Sequence, residues 1–476
     1  MSTVHVDIAI LGGGIGGYTA AIRAAQAGKT VALVEQDKLG GTCLHRGCIP
    51  TKALLRSAEV LHTLKNADTY GLTAESVGFD YKRVLARKDE IVSQLHQGLQ
   101  MLMKKNRIEV YHGRGRVIGP SIFSPRSGSI AIESEADDLP TITADYTVVA
   151  TGSRPRSIGG LQPDGRRLLS SDEALELDKL PSSMLIIGGG VIGVEWASLL
   201  CDFGVAVTIA EAADRLLPQE DEDISREMER QLKSRGIRVL TGVRVDDGTV
   251  ESWPDGVRMQ AYREGGGQPL ALEAELCMIA VGRAANVEGI GLENTDVAVE
   301  NGVIKINAFR QTTEPHIYAV GDVAGGPQLA HKAAHDAIVA VDHILGRPIH
   351  PLDSRMIPRC VYSRPEVSGI GLTEREARGE GREPKVGKFP FRGAGKALVH
   401  GDSDGFVKVI ADGETGELLG VHMIGAHVTE LIAEASLARL FEALPWEVAS
   451  AVHPHPTFSE ALAEAMLAVD GKAIGI

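Results

Sequence analysis

Cysteine and aromatic residues are scarce in this sequence: of 476 residues, 5 are cysteine and 4% are aromatic. No stretch approaches the ~18 uninterrupted apolar residues of a membrane span. No basic tract stands out either, with 49 Lys and Arg against 63 Asp and Glu. Each absence narrows the function. Few cysteines, in odd number, argue against a secreted disulfide scaffold. A net charge of −14 without a basic tract argues against nucleic acid as a partner, because nothing is available to displace counterions from phosphates. The opening MSTVHVDIAILGGG enters an apolar strand at once, with no charged leader and no Arg/Ser-rich transit segment, so the chain reads as cytoplasmic.

Glycine is plentiful, at 55 residues, which suits many tight turns or phosphate-cradling loops. The length calls for three or four domains. In the first of them an apolar strand, VDIAIL, runs into the turn Gly12-x-Gly14-x-x-Gly17. An alanine-rich helix follows, then a second strand, TVALVE, ending in Glu35. The order has a physical reason. Glycines allow a tight turn and close approach to a pyrophosphate at a helix N-terminus, and the acid holds a ribose hydroxyl. The pattern recurs in MLIIGGGVIGVEWASLLCDFGVAVTIAE, with Gly188, Gly190, Gly193 and Glu211 at the same separations. Two such units imply two nucleotides.

Two of the cysteines, Cys43 and Cys48, stand together in GGTCLHRGCIP. Cys201, Cys277 and Cys360 sit singly among apolar residues and read as buried structural thiols. For the pair, a structural disulfide, a metal site with His45 and a redox couple compete. The metal reading lacks a fourth ligand nearby. Helix signals begin at Pro50 and continue with Leu54, Ala58 and Leu61 on one face. Cys48 therefore stands at a helix N-terminus, where the dipole supports a reactive thiolate. The pair follows closely on Glu35, so it belongs with the first nucleotide. A dithiol exchanges two electrons with a flavin and a nicotinamide delivers hydride to it, which puts FAD in the first unit and the nicotinamide in the second. Glu211 suits the free 2′-hydroxyl of NAD and repels the phosphate of NADP, and the nearest arginine is Arg215. Further on, Ile224, Met228 and Leu232 mark one helical face, and REGGGQPL reads as a hairpin turn.

At this point the chain resembles a known family. GGTCLHRGCIPTK is similar to the redox signature of the flavin disulfide reductases, usually GGTCLNVGCIPSK. YAVGDVAGGPQLAHKA (318 to 333) resembles the family's second FAD motif, and HPTFSEA (455 to 461) its C-terminal acid–base motif. The resemblance covers essentially the whole chain. It implies an α/β fold of two Rossmann-like dinucleotide-binding domains plus a C-terminal α+β dimerisation domain. The FAD domain would span 1–150 with a helical excursion at 50–105, the NAD domain 151–280, a central segment completing the FAD site 281–350, and the dimerisation domain 351–476.

It also implies roles for single residues. Cys48 would lie nearest the flavin and Cys43 would exchange with substrate. Lys52 would stand by the flavin and pair with Glu195. His455 would be the acid–base, oriented by Glu460, and His453 has no role. FAD would further meet Gly12, Gly14, Gly17, Glu35, Gly41, Thr42, Gly115, Gly152, Asp322 and Ala330. NAD would meet Gly188, Gly190, Gly193, Glu195, Glu211 and Gly282. No metal is implied. The glycine-rich start, Glu211 and the terminal AVDGKAI favour members that oxidise protein-bound dihydrolipoyl groups. The implied enzyme is a homodimer serving a lipoyl-bearing acyltransferase of a 2-oxoacid dehydrogenase complex or a glycine cleavage carrier protein. One departure stands out: His45-Arg46 replaces the usual Asn-Val, and as an imidazolium His45 would stabilise a neighbouring thiolate.

Overall fold

The strand Val31–Glu35 is buried along its whole length, which requires cover on both faces, the condition of a parallel sheet. The computed structural model, which describes residues 2–120, 126–134 and 139–475, shows that sheet. Strands Glu109–His112, Val31–Glu35, Thr3–Leu11 and Thr141–Val149 lie side by side and parallel, and Ile317–Ala319 joins the last of them. Ser129–Glu133 and Arg114–Ile118 extend the edge antiparallel. Along Thr3–Leu11 the side chains alternate between two cores. Ile8 and Ile10 pack with Ala20, Ala21 and Ala24 of the helix Ile15–Gln26, while Ala9 and Leu11 pack with Val117, Ile130 and Ile142. A strand's period of two makes both assignments at once. Small alanines bring the helix close, and a bidentate Arg23–Asp342 pair at 2.8 and 3.1 Å joins it to the helix Ala330–Ile344.

These elements form the first of two compact units, made of the residues up to Ala53, Ala86–Arg156 and Arg283–Ser354. The second comprises Leu54–Leu85, Ser157–Gly282 and Arg355–Ile476. It repeats the βαβ pattern: Ser183–Ile187, the helix Val191–Asp202 and the parallel strand Ala206–Ala210, in a five-stranded sheet with Arg238–Leu240, Leu276–Ile279 and Leu168–Leu169. REGGGQPL does turn a hairpin, between Gly256–Arg263 and Leu270–Ala274. Asp221 caps the helix Glu222–Ser234 through the Asp223 amide, and Ile224, Met228 and Leu232 are fully buried on one face. The remainder is an antiparallel sheet of Arg359–Val361, Glu366–Gly371, Leu418–Gly425, Phe406–Asp412 and Pro384–Pro390. The helices Val428–Leu440 and Glu460–Ala468 share a core with it.

The helical excursion after the cysteines consists of Cys48–Lys65 and Tyr81–Lys105. Its middle, 54–85, groups with the second unit rather than the first, because Leu54, Ala58 and Leu61 pack in one core with Trp196, Leu199 and Leu200. The isolated cysteines need a correction. Cys277 is fully buried, but Cys201 and Cys360 are only half-buried, since each lies at the margin of its core.

Candidate active site

The two glycine turns are built alike, bond for bond. Gly12 donates its amide to Val34 O at 2.8 Å, and Gly188 donates to Ala210 O at 2.9 Å. Glu35 accepts from the amides of Gly13 at 2.6 Å and Asp37 at 2.8 Å. Glu211 accepts from those of Gly189 at 2.5 Å and Ala213 at 2.6 Å. Gly12 and Gly188 take φ of +105° and +109°, and a Cβ on Gly17 or Gly193 would strike the carbonyl of Gly12 or Gly188. The fold thus demands glycine at the first and third positions of each turn. It makes no such demand at Gly14 or Gly190. Their φ values of −69° and −76° suit any residue, and a Cβ on either would meet nothing closer than 3.9 Å. Glycine at these helix N-termini keeps room for a bound group, and both turns fit a dinucleotide pyrophosphate.

Other expected contacts cluster with these turns. Gly41, at φ +59°, approaches Gly14, so a Cβ there would lie 2.7 Å from Gly14 Cα. Thr42 follows it on the short helix Gly41–Arg46 and is exposed. Gly152 and Gly282 hold positive φ of +69° and +105° with open space at the Cβ position. Gly115 has a packing reason of its own: a Cβ there would press on Leu11 and Val34. Asp322 lies in the single turn Gly321–Ala324 and accepts the Ser153 hydroxyl. Ala330 opens the helix Ala330–Ile344.

Residues that sequence reasoning missed hold this region. Arg283 donates to Ser153 Oγ and O, both at 2.8 Å. Behind Asp322, fully buried Asp336 pairs with Arg310 at 2.6 Å and Lys332 at 2.8 Å, and accepts the Gly321 amide. Lys332 lies in the recognised AHKA segment and Asp336 four residues further along the same helix, a spacing that could have flagged them.

Cys48 is the first residue of the helix Cys48–Lys65, where the dipole supports a thiolate. A hydrogen bond to Cys48 is the largest influence on Cys43; with burial and the Cys48 charge it raises the Cys43 pKa far above the ordinary thiol range, against an opposing Lys52 charge. Tyr18, also unremarked in the sequence, stands close enough that burial and both sulfurs raise its phenol pKa.

The expected imidazolium at His45 is corrected. Burial lowers its pKa, with His96 and Lys38 in the same direction, against a raising bond to the Leu39 carbonyl. Its Nε2 lies 2.8 Å from that oxygen. Arg46 pairs with Asp37. Among the described residues no group of three or more His, Cys, Asp or Glu could hold a metal ion.

In the second unit, His455 Nδ1 lies 2.8 Å from Glu460 Oε1, and Glu460 Oε2 accepts the Thr457 amide at 2.8 Å. Burial would raise the Glu460 pKa, but the bonds from His455 and Thr457 outweigh it and hold the carboxyl below its usual range. The His455 imidazole is 78% exposed, so its Nε2 edge is open to a reactant. His453 is bonded to Glu434 at 2.7 Å. Glu195 is buried and accepts the Tyr362 amide at 2.9 Å. Lys52 and the dithiol belong to the first unit, Glu195 and His455 to the second.

Comparison with known proteins agrees with this geometry. Residues 6–337 match the family model "Pyridine nucleotide-disulphide oxidoreductase", and residues 357–466 match its dimerisation domain. A dihydrolipoyl dehydrogenase of Bacillus subtilis is 54% identical over 98% of both chains, and one of Zymomonas mobilis 42% identical over 99% of both. Among solved structures, LpdA of Mycobacterium tuberculosis aligns with TM-score 0.88 at 26% identity, covering 98% of this chain and 99% of that one. RclA of Escherichia coli, a flavoprotein disulfide reductase, aligns at 0.85 with 28% identity, covering 97% and 99%. No helix among the described residues is long and apolar enough to cross a membrane. With paired glycine turns, a dithiol at a helix N-terminus and relatives alike along its length, the chain belongs to the pyridine nucleotide-disulphide oxidoreductases, flavoprotein enzymes that use FAD and NAD.

Proposed function

We propose that this enzyme oxidises protein-bound dihydrolipoamide to lipoamide with NAD as acceptor. The observation that carries the reading is the Cys43–Cys48 pair, hydrogen-bonded at a helix N-terminus with Lys52 acting on it. In this reading 1–150 and 281–350 hold FAD, 151–280 holds NAD, and 351–476 pairs two subunits.

Each turnover starts with Cys43 and Cys48 joined as a disulfide. Nε2 of His455 takes a proton from one substrate thiol, while Glu460 fixes Nδ1–H so that Nε2 is the basic nitrogen. The substrate thiolate attacks Cys43 Sγ, the Cys43–Cys48 bond breaks, and Cys48 leaves as the thiolate that its helix position favours. The second substrate sulfur, losing its proton, displaces Cys43 and closes the lipoamide ring. Cys43 takes up a proton, and the enzyme pair holds the two electrons. Bound FAD supplies the link that passes them to NAD. For the flavin site we assign Lys52, with Glu195 as its partner, and Gly12, Gly14, Gly17, Glu35, Gly41, Thr42, Gly115, Gly152, Asp322 and Ala330. Gly188, Gly190, Gly193, Glu195, Glu211 and Gly282 are assigned to NAD.

The proposed partner is the lipoyl-bearing component of a 2-oxoacid dehydrogenase complex or a glycine cleavage carrier, met in the cytoplasm. Each site would take its dithiol from one subunit and His455 from the other. The test is dihydrolipoamide-dependent reduction of NAD by the FAD-loaded protein, beside NADP and beside glutathione. Rapid turnover with lipoyl substrate and NAD is expected; turnover confined to another thiol would reject the substrate assignment.

A further inference from the structure

Leu39 sits at the joint between the first glycine turn and the cysteine-bearing helix. It is buried, and its Cδ2 lies 2.9 Å from where a Cβ on Gly13 would be. The next residue, Gly40, donates its amide to the Gly13 carbonyl at 2.8 Å. The carbonyl of Leu39 is met by two imidazoles, His45 Nε2 at 2.8 Å and His96 Nδ1 at 3.0 Å. They arrive from different elements. His45 belongs to the short helix Gly41–Arg46 that carries Cys43, and His96 to the long helix Tyr81–Lys105. Their rings meet edge to face, centroids 5.1 Å apart at 70°.

A carbonyl oxygen can only accept, so each facing nitrogen must carry a hydrogen. That assigns Nε2–H to His45 and Nδ1–H to His96. The oxygen has two lone pairs, and no backbone amide among the described residues donates to it. A helix of six residues cannot hold its own geometry, since nucleation leaves so short a segment unstable alone. External ties must place Cys43.

We infer that His45 is a positioning residue of the redox pair: together with His96 it locks the cysteine-bearing helix to the first glycine turn through the Leu39 carbonyl. The action is geometric, because burial disfavours the charged form of His45. His45 stands where the signature that the chain resembles usually has asparagine.

The tautomers make the inference testable by amide substitution. A glutamine places its side-chain nitrogen near the Nε2 position of a histidine, and an asparagine near Nδ1. The measurement is the rate at which iodoacetamide alkylates Cys43 in NADH-reduced holoenzyme, read by peptide mapping. His45→Ala is expected to raise it about fivefold, the loosening from one lost hydrogen bond. His45→Gln should keep the wild-type rate and His45→Asn should behave like alanine. At position 96 the order reverses: His96→Asn should keep the rate and His96→Gln should not. Losing both imidazoles strips a buried carbonyl of its donors, so the double alanine variant should rise about a hundredfold, more than the product of the singles. Equal rates for glutamine and asparagine at position 45, or an unchanged rate in His45→Ala, overturn the inference. If the double variant loses its flavin, the four amide variants decide the matter.

Discussion

Replacing Glu211 by glutamine separates the two duties of that carboxylate. One oxygen accepts the Gly189 amide at 2.5 Å and the other the Ala213 amide at 2.6 Å. Glutamine keeps one acceptor and turns an NH2 group toward the remaining amide. Losing the charge from the carboxylate assigned to the ribose hydroxyl costs that bond about 1.5–3 kcal/mol. The site is half-buried, so the lower end applies, and NADH should bind about tenfold more weakly. NADPH should respond oppositely. A carboxylate and a 2′-phosphate ~4 Å apart repel by about 4 kcal/mol at an effective dielectric constant of ~20, and glutamine removes that repulsion. The NADH-to-NADPH preference should therefore fall at least about a hundredfold, and Glu211→Arg should carry it further. Anaerobic stopped-flow reduction of the flavin, with each nucleotide varied, measures both affinities. Glu35→Gln is the control: its carboxylate makes the matching bonds at 2.6 and 2.8 Å, so it should loosen FAD and leave nucleotide choice alone. A wild-type enzyme that uses NADPH as readily as NADH, or a preference unmoved in Glu211→Gln, would refute the reasoning.

Cys43→Ser should abolish lipoamide turnover while NADH still reduces the flavin, and retained turnover would remove Cys43 from the relay. The reduced wild type should show a long-wavelength thiolate–flavin absorbance that Cys48→Ser eliminates, checked by anaerobic titration. His422 is fully buried, donates from Nε2 to Leu372 O at 2.9 Å, and has its pKa lowered by burial, with Arg359 lowering and Asp221 and Glu220 raising it. The unfolded chain then binds this proton first, so stability should fall as pH drops below about 6.5. His422→Gln preserves the bond and should flatten the acid side of a melting-temperature profile; an equally steep profile contradicts the assignment. Mixed dimers of Cys48→Ser and His455→Ala chains should recover about a quarter of wild-type sites, since half the dimers are mixed and each has one intact site of two. Purified mixed dimers without activity would exclude a site shared between subunits.

Much of the site could be read before any folding. The glycine spacing, the terminal acids and the cysteine pair carry local chemistry: a turn, a helix N-terminus and a reactive thiol each need particular residues within a few positions of one another. The hairpin at REGGGQPL and the apolar face of Ile224, Met228 and Leu232 are local in the same sense. Tertiary structure alone decided the rest. Leu54, Ala58 and Leu61 show helical periodicity, but periodicity says that a face is buried and not what covers it, and the cover proved to be the core around Trp196. Asp336 reads as an ordinary helix acid until Arg310 and Lys332 bury it behind Asp322. His45 looks cationic in a row beside Arg46. Burial, with His96 brought from far along the chain, lowers its pKa instead. A residue's type sets what chemistry it can do, while its charge and partners depend on desolvation and on groups that only the folded chain brings within reach.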